Sequence, residues 1–534
     1  MYIRALLIFS LFLSFTYSRL SAQTKFINQL ELADTSQTDS NRWLKEGNAL
    51  KVAFGSTDVR YLRHQVPELT NGNVLKLTAW KGERVNIQMV IWSNRNSYSI
   101  NIQPSDLSVS DKHISADVVK AFPVRYVLTD VFLQGCGYRK NDTIAYSLAP
   151  DMLDDQGIFS ISAKSARPVW ITIDVPSDAK PAIYKGYIEI KAKGRFKKKL
   201  HYILEVQDRI LPKPSEWKYH LDFWQHPWAV SRTSSVKPWS PEHWEALRST
   251  LTMLAEAGQK CITTTLIHDP WGGQTFDPYE SMVEWRKASD GSWTYDFALF
   301  DQWVEFVMSC GITEQINCYS MIPWHNSFRY FDETENEYKI LNAFPSSPDF
   351  ENHWRPFLLA FREHLQNKGW LDKTCIAMDE RELKDMLAMV KLVKATTPEL
   401  KIAFAGSYHP ELVDDIFDLC VFINPLSDSS KIKERNDKHW PTTFYVCCSK
   451  PEHPNNFTFS PLAENTLMGW YASATGYNGF LRWAYQSWGK DPEHDSRFRT
   501  WPAGDTYMVY PGGKSSIRLN ECVRVFRIMK KSEF

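Results

Sequence analysis

Beyond residue 213, short apolar runs alternate with segments of helical periodicity, and this alternation limits the possible folds of the chain more than any other feature. Eight apolar runs are followed or separated by such segments: 221–225, 261–267, 314–319, 375–378, 402–405, 419–424, 444–448 and 479–485. Strands joined by helices pair in parallel, because the helix returns the chain to the starting edge of the sheet. Eight repeats over about 320 residues predict a (β/α)8 TIM-like barrel over residues 213–534.

The preceding segment, residues 23–212, has the pattern of antiparallel β structure. Short runs with alternating apolar and polar residues, such as Val85–Trp92 and Tyr184–Lys191, are separated by turn residues. This pattern is typical of a β-sandwich. Ile210–Ser215 carries two prolines and suits a linker. The predicted architecture is therefore a multidomain β + α/β protein, with a β-sandwich followed by the barrel.

The first 22 residues have the pattern of a cleavable signal peptide. A short basic start, Met1–Arg4, precedes an apolar stretch, Ala5–Tyr17, and Leu20–Ala22 offers small residues for cleavage. The apolar stretch is too short to span a bilayer comfortably. We therefore expect an exported protein, secreted or periplasmic, without a membrane span.

The composition excludes some partners and favours others. The 62 basic residues balance 62 acidic residues, which argues against a nucleic-acid or anionic-membrane surface. The 21 tryptophans are suited to a large core or to stacking on the flat apolar faces of sugar rings. No cysteine spacing resembles a zinc site. Six of the nine cysteines lie in apolar runs and are predicted to be buried free thiols: Cys261, Cys318, Cys375, Cys420, Cys447 and Cys448.

The segment Thr374–Leu383 joins a predicted strand to a predicted helix through two consecutive carboxylates, Asp379 and Glu380. In a barrel of this type, side chains at the C-terminal ends of the strands face the active site. The pair is therefore a candidate for acid/base chemistry. The alternative is that one of the two carboxylates only caps the following helix.

The ends of the other predicted strands, and the loops near them, are rich in aromatic and polar residues. Together with one carboxylate pair, they indicate a saccharide pocket. The candidates for substrate binding are Trp483, Tyr408, His409, Asn424, Tyr485, Trp324 and His268. Asp505 and Arg518 are instead predicted to make structural pairs near the end of the barrel.

A second catalytic carboxylate is missing where a retaining glycosidase would need one. Such enzymes place an acid and a nucleophile about 5 Å apart, on different strands. Here Asn424 and Cys447–Cys448 occupy the expected places on the late strands. The adjacent pair fits substrate assistance, in which a 2-acetamido oxygen attacks the anomeric carbon. Glu380 would then be the general acid/base, and Asp379 would hold the acetamido N–H and stabilise the positive charge of the intermediate.

In several blocks the chain resembles glycoside hydrolase family 123, the β-N-acetylgalactosaminidases. The matching residues are the Asp379–Glu380 pair, Lys81–Gln88, Pro168–Pro176 with Tyr184–Tyr187, and Gly504–Gly512 before Ser516–Leu519. The resemblance implies a sandwich plus a barrel, retention of anomeric configuration, participation of the 2-acetamido group, and neither metal nor cofactor. The substrate that it implies is a GalNAc-containing oligosaccharide or glycolipid.

Two segments depart from the family pattern. Pro181-Ala182 replaces the usual Pro-Gly, which is a detail of one turn. The segment Asn520–Phe534 is basic and short where the family has a long acidic helix, so we expect an altered last helix. Two alternatives to an exo-acting β-N-acetylgalactosaminidase stay open, namely a barrel hydrolase for another sugar such as β-GlcNAc, and a noncatalytic glycan-binding protein.

Overall fold

The computed structural model describes residues 26–34, 36, 38–69, 74–131, 146–423, 429–448, 454–498 and 501–532. The predicted signal peptide, residues 1–22, lies outside these ranges. None of the helices in the described ranges is long and apolar enough to cross a membrane.

The N-terminal region contains a short helix and a series of strands, most of them antiparallel. These elements are α1 (Ser40–Lys45), β1 (Lys51–Gly55), β2 (Leu75–Lys81), β3 (Arg84–Ser93), β4 (Ser97–Pro104), β5 (Leu107–Val109), β6 (Lys112–Ile114), β7 (Val119–Asp130), β8 (Tyr146–Leu153), β9 (Ile158–Ile161), β10 (Ser165–Asp174), β11 (Ala182–Ala192) and β12 (Phe196–Ile210). One sheet has the order β1-β3-β10-β7-β8, and the other has the order β2-β12-β11-β4-β9, with β5 joined to β11 and β6 to β5.

The alternation of apolar residues along these strands forms the core between the two sheets. On β3, Ile87 and Met89 are buried and lie opposite Ile171 and Val169 of β10. They share one apolar cluster with Ile188 of the second sheet. Because successive side chains of a strand point to opposite faces, every second residue reaches this core. The predicted β-sandwich is confirmed.

The C-terminal region alternates strands and helices. Its elements are β13 (His220–Phe223), α2 (Pro227–Thr233), α3 (Pro241–Glu256), β14 (Cys261–Thr265), β15 (Glu284–Lys287), β16 (Trp293–Asp296), α4 (Ala298–Ser309), β17 (Gln315–Tyr319), β18 (Ser327–Asp332), β19 (Glu337–Asn342), α5 (Pro348–Lys368), β20 (Thr374–Asp379), α6 (Leu383–Thr396), β21 (Lys401–Gly406), β22 (Asp418–Phe422), α7 (Ser429–Asp437), β23 (Thr442–Tyr445), α8 (Leu462–Thr475), β24 (Gly479–Arg482) and α9 (Ile517–Ser532).

Eight of these strands form one parallel sheet in the order β13-β24-β23-β22-β21-β20-β17-β14. A bridge between Leu221 of β13 and Gln259, just before β14, brings the two edges together. The backbone N–H of Lys260 donates to the carbonyl of Leu221 at 2.9 Å. The sheet therefore closes as the predicted TIM-like barrel, although the contact at the closing edge is short.

The connections after β14 and β17 carry a small additional sheet of four strands in the order β16-β15-β18-β19. The sequence predicts the β15–β16 hairpin, with its turn at Asp290–Gly291, but not the β18–β19 hairpin. Trp285 of β15 stacks on Phe357 of α5, with ring centroids 4.4 Å apart, and so attaches this sheet to the barrel. Loops that follow barrel strands lie on the face where active sites form.

The last helix, α9, forms despite the basic composition of its segment. Leu519, Cys522, Val523 and Phe526 are buried, and they are spaced so that they lie on one face of the helix. Phe526 stacks on Tyr219 near the start of the barrel, with ring centroids 4.3 Å apart. The basic residues fall mostly at other positions, so the stripe of apolar residues is sufficient to fix the helix on the barrel.

The sandwich contacts the barrel through buried polar groups. The backbone N–H of Leu128 on β7 donates to the carbonyl of His494 at 2.7 Å, and the N–H of Ser496 donates back to the carbonyl of Leu128 at 3.0 Å. Farther along this interface, Asp151 of β8 pairs with Arg518 of α9. Buried polar groups of this kind need well-placed partners, so the interface fixes how the two regions meet.

Candidate active site

A cavity of about 870 Å³ opens at the C-terminal ends of the barrel strands. Its lining combines the carboxylate pair, two further carboxylates, four indole rings and several other polar side chains. Among the lining residues are Trp224, Trp324, Asp379, Glu380, Arg381, Glu382, His409, Tyr445, Trp483, Trp501 and Asp505. Aromatic rings with a few convergent polar groups are the usual lining of a small-molecule or sugar site.

The carboxylate pair lies where β20 ends. Asp379 is the last residue of the strand, and Glu380 adopts the left-handed region with φ 47°, which is uncommon for a residue other than glycine. The backbone N–H of Glu380 donates to the carbonyl of Ala405 on β21 at 2.7 Å. A Cβ on the next residue, Gly406, would lie 3.2 Å from the Glu380 Cα. The neighbouring strand therefore fixes the backbone of the pair.

Neither carboxylate caps the following helix. Helix α6 begins at Leu383, its N-cap residue is Glu382, and no side chain makes a capping hydrogen bond there. The alternative explanation for the pair, helix capping, is therefore wrong for both Asp379 and Glu380.

Asp379 lies deep in the cavity between two indoles. Burial and, after it, the adjacent Glu380 raise the pKa of its carboxyl group to about 7, although Arg381 and hydrogen bonds from Trp324 and Trp271 act in the opposite direction. The Arg381 Nε donates to the backbone carbonyl of Asp379 at 2.7 Å, and its guanidinium lies 4.1 Å from the centre of the Trp324 ring. Asp379 is thus held by indole donors in a largely desolvated position.

Glu380 is exposed in the cavity and has a different partner. The Tyr445 hydroxyl donates to Glu380 Oε1 at 2.7 Å. Burial, followed by the nearby Glu380 carboxylate, raises the pKa of Tyr445 well above its ordinary value, so Tyr445 stays a donor. Glu380 is also one of the residues that line the cavity. The two neighbouring carboxylates therefore have environments of different kinds, as a division of chemical roles requires.

Another lining carboxylate, Asp505, forms a different part of the wall. Asp505 Oδ1 accepts from Arg482 Nη2 at 3.0 Å, and Oδ2 accepts from the Trp483 Nε1 at 3.2 Å. Trp501 meets Trp483 edge to face, with centroids 5.5 Å apart. Both oxygens of Asp505 thus already have donors, which orient the Trp483 indole.

The structure brings some of the predicted binding residues to the cavity and leaves others away from it. Trp483, His409 and Trp324 line the cavity together with Asp379 and Glu380. Asn424 lies outside the described residues. Tyr408 is half-buried against the barrel core and is not part of the lining.

Two further predicted residues have other roles in the structure. Tyr485 is fully buried, and its hydroxyl donates to the carbonyl of Thr250 at 2.9 Å, so it belongs to the core behind the wall. His268 bonds Glu280 at 2.8 Å through its Nδ1, and Arg329 binds the same carboxylate at 2.7 Å. Strand-end position alone does not separate residues that face the cavity from residues that face the core.

Tyr445, Arg381 and Trp501 line the cavity but are not among the residues predicted from the sequence, and Asp505 was predicted only to make a structural pair. A signal for Tyr445 exists, because it is the last residue of β23, whereas the sequence prediction continued this strand to Cys448. Arg381 follows the carboxylate pair directly, and a cation there balances two adjacent negative charges. No comparable signal marks Trp501, which lies in a long irregular connection.

The described residues contain one group of side chains that could hold a metal ion, formed by His220, Cys261 and Asp418, whose ligand atoms lie within 4.8 Å of one another. It lies at the N-terminal ends of β13, β14 and β22, at the opposite end of the barrel from the cavity. His220 Nε2 lies 3.2 Å from the Cys261 Sγ and 3.4 Å from Asp418 Oδ2, which Gln315 also contacts at 2.6 Å. A hydrogen-bond network accounts for these contacts.

The cysteines follow the prediction of buried free thiols with two exceptions. Five of the six are free: Cys261, Cys318, Cys375, Cys420 and Cys447. Of these five, Cys447 is only half-buried. Cys448 is disulfide-bonded, so the prediction is wrong for this residue. Burial in an apolar run does not distinguish a thiol from half of a disulfide.

The raised pKa of Asp379 predicts a pH-dependent stability. Its ordinary value is 3.8, so between about pH 4 and pH 7 the folded protein keeps a proton that the unfolded chain has lost, and stability falls as the pH rises. Because an asparagine side chain does not ionise, Asp379→Asn removes this loss of stability at higher pH. Above pH 7 we expect its free energy of unfolding to exceed that of the wild type by on the order of 2–4 kcal/mol, with little gain at pH 4.

Calorimetric unfolding at pH 4 and pH 8 measures this effect. Asp385→Asn is the control, and it should gain no stability at pH 8, because an acidic side chain on the first turn of α6 stabilises the helix. A wild type that is as stable as Asp379→Asn at pH 8 would contradict the prediction.

Comparison with known proteins identifies both regions of the chain. The model described as "Glycoside hydrolase 123, catalytic domain" matches residues 224–531, and the model described as "Glycoside hydrolase 123 N-terminal domain" matches residues 54–192. The comparison with curated proteins finds no match. The first of these matched segments contains the carboxylate pair and all the cavity residues named above.

Solved structures show the same relationship. A family 123 glycoside hydrolase from Clostridium perfringens, studied for glycolipid glycan hydrolysis, has a TM-score of 0.84 and 28% identity, over 91% of this chain and 88% of its own. A Bacteroides ovatus GH5 xyloglucanase has a TM-score of 0.30 and 10% identity, over 90% of this chain and 100% of its own. A glycoside hydrolase structure from Bacteroides vulgatus has a TM-score of 0.35 and 9% identity, over 86% of this chain and 78% of its own. The last two resemblances are too weak to bear on function. From the two family models and the first structure, we conclude that the chain belongs to glycoside hydrolase family 123.

Proposed function

We propose that this glycoside hydrolase is a retaining exo-β-N-acetylgalactosaminidase that removes terminal β-GalNAc by substrate-assisted catalysis. The observation that supports the proposal is the unlike surroundings of Asp379 and Glu380. One carboxylate is desolvated between indoles, and the other is exposed and bonded to Tyr445. Asp505 also lines the cavity, but Arg482 and Trp483 bind both of its oxygens, so it is a poor candidate for a nucleophile.

In the proposed first step, Glu380 donates its proton to the glycosidic oxygen while the 2-acetamido carbonyl oxygen attacks the anomeric carbon. The bond from C1 to the leaving group breaks, and an oxazolinium-like ring forms on the same sugar. In the second step, Glu380 takes a proton from water as the water attacks C1 and opens the ring. Two displacements at C1 retain its configuration.

Asp379 supports both steps by accepting a hydrogen bond from the acetamido N–H. This contact orients the carbonyl toward C1, and the negative charge stabilises the positive charge that develops on the ring. Because the pKa of Asp379 is raised to about 7, the pair retains a proton close to neutral pH. An N–H donated to Asp379 favours its ionised form, which the proposed charge stabilisation requires.

The aromatic residues of the cavity support a sugar substrate. Trp483 presents an indole held by Asp505, which is suited to stack on the apolar face of a sugar ring. Trp324 lies beside the carboxylate pair and carries Arg381 on its ring. The family 123 structure from Clostridium perfringens concerns glycolipid glycans, which supports a glycolipid or related GalNAc-terminated glycan as the substrate here.

Export through the predicted signal peptide is part of the proposal, since a glycolipid or glycan substrate would be met outside the cytoplasm. The mature protein should begin at Gln23 in the periplasmic or secreted fraction. N-terminal sequencing of the protein from each fraction tests this, and an intact Met1 in the active enzyme would exclude cleavage.

Release of an aryl alcohol from paired β-GalNAc and β-GlcNAc glycosides tests the substrate. We expect kcat/KM for β-GalNAc to be at least tenfold higher, with retention of configuration in the first product observed by NMR. A preference for β-GlcNAc would contradict the proposed substrate but would leave the proposed mechanism unchanged. No turnover of either glycoside by the folded protein, combined with binding of GalNAc, would favour a glycan-binding protein instead.

A further inference from the structure

The cavity wall that carries Asp505 depends on two arginines that are fully buried. Arg482 Nη2 donates to the backbone carbonyl of Asp505 at 2.8 Å and to its carboxylate at 3.0 Å. Arg518 Nη1 donates to the carbonyls of Gly504 and Tyr507, each at 2.9 Å. The backbone on both sides of Asp505 is thus held by the guanidinium of Arg518.

Gly504 permits this close approach. It adopts φ 80°, and a Cβ at this position would lie 2.6 Å from the Thr458 Cγ2 and 3.1 Å from the Arg518 Nη1. Only a glycine fits between these groups in this conformation. The segment 504–507 therefore rests directly on the Arg518 side chain.

The charge partner of Arg518 comes from the sandwich. Asp151 on β8 accepts from the Arg518 Nε at 3.0 Å with each oxygen, and the Arg518 Nη2 lies 2.9 Å from Oδ2. The Tyr510 hydroxyl donates to the same Oδ2 at 2.7 Å. The side chains of Asp151 and Arg518 are completely buried. A buried guanidinium without a carboxylate is strongly unfavourable, so the position of Arg518 depends on Asp151.

We propose that Asp151 is a positioning residue for the active site, acting through Arg518 on the wall formed by Asp505 and Trp483. The connection has three links, from Asp151 to Arg518, from Arg518 to the backbone of 504–507, and from the Asp505 carboxylate to the Trp483 indole. The sandwich thereby sets the position of a sugar-stacking ring in the barrel. The kinetic part of this inference rests on the proposed function.

Asp151→Asn tests the connection, because it keeps the shape of the side chain and removes its charge. We expect amide hydrogen exchange in peptides covering 501–507 to accelerate at least tenfold. For an aryl β-GalNAc glycoside we expect KM to rise at least fivefold and kcat/KM to fall at least tenfold. A displaced Trp483 weakens substrate binding, whereas a merely structural loss would lower the active fraction and leave KM unchanged.

Glu31→Gln is the matched control. Glu31 is also a fully buried carboxylate of the N-terminal region, paired with Arg167 and Arg63, and its partners lie within that region. This variant should lose stability like Asp151→Asn but keep the wild-type KM and the wild-type exchange of 501–507.

Three results would overturn the inference. The first is wild-type amide hydrogen exchange of 501–507 in Asp151→Asn. The second is faster exchange of 501–507 in this variant with an unchanged KM. The third is an equal effect of Asp151→Asn and Glu31→Gln on both the exchange and KM. If Asp151→Asn does not fold, Tyr510→Phe removes a single hydrogen bond to Asp151. Tyr510→Phe should then accelerate the exchange of 501–507 and raise KM, each by about threefold. Wild-type values for both would overturn the inference. Wild-type protein without activity on β-GalNAc refutes the proposed function, but the exchange comparison still decides this inference.

Discussion

Glu380→Gln should reduce kcat for a β-GalNAc-terminated oligosaccharide by roughly 10²–10⁴-fold, the usual contribution of a general acid. A sugar alcohol is a poor leaving group and needs a proton, which Glu380 donates in the proposed mechanism. A nitrophenyl leaving group needs little protonation, so the same variant should lose much less activity on the aryl glycoside. Steady-state kinetics with both substrates, at several pH values, measures the difference.

The control for this variant is Glu411→Gln, an exposed glutamate in the loop after β21 that does not line the cavity. It should keep wild-type kinetics with both substrates. An equal loss with the aryl glycoside and the oligosaccharide in Glu380→Gln would contradict the role of this residue as the acid, since only proton donation depends on the leaving group.

Asp379→Asn should reduce turnover of the aryl glycoside and of the oligosaccharide alike, by at least about 10²-fold, because it removes charge stabilisation that does not depend on the leaving group. The desolvated position of Asp379 strengthens this interaction relative to water. The same variant is expected to be more stable than the wild type above pH 7, so lost activity in this case cannot be attributed to unfolding.

A series of substrates with fluorinated acetamido groups separates substrate assistance from other mechanisms. Fluorine makes the acetamido oxygen a weaker nucleophile, so the wild-type rate should fall with each fluorine that is added. A rate that is independent of fluorination would exclude attack by the acetamido group, and the cavity would then need a protein nucleophile.

The fold was largely predictable because its periodicity is strong. Eight parallel strands and a sandwich follow from apolar patterns that burial imposes on the sequence. The β18–β19 hairpin escaped prediction for the opposite reason. Most of β19 is exposed, including Tyr338 and Ile340, so no buried face enforces a regular pattern on it.

The carboxylate pair was predictable, since a strand that ends in two acids is conspicuous. Two neighbouring predictions failed through a shared cause. Val446 and Cys448 are buried beyond the end of β23, and Ala484 and Tyr485 are buried beyond the end of β24. Apolar runs extend past the last strand residue in both cases, so the predicted strand ends were displaced, and Tyr445 was overlooked while Tyr485 was chosen.

The partners of Asp505 and Arg518 could not be read from the sequence. A structural pair was expected for each, and each has one, with Arg482 and Asp151 respectively. Arg518 and Asp151 are 367 positions apart in the chain. A partner at that separation depends on how two regions dock, which local patterns do not encode.

The close contact between Gly406 and the backbone of Glu380 has a consequence for redesign of this enzyme. The backbone of Glu380, the proposed acid, is positioned by two strands of the barrel itself, β20 and β21. Libraries that vary the connections after β14 and β17, but keep Trp271 and Trp324 because both bond Asp379, can therefore search for new glycan specificities while the backbone of Glu380 stays in place. Substitution of Gly406, by contrast, would be expected to disturb every activity that such a library might contain.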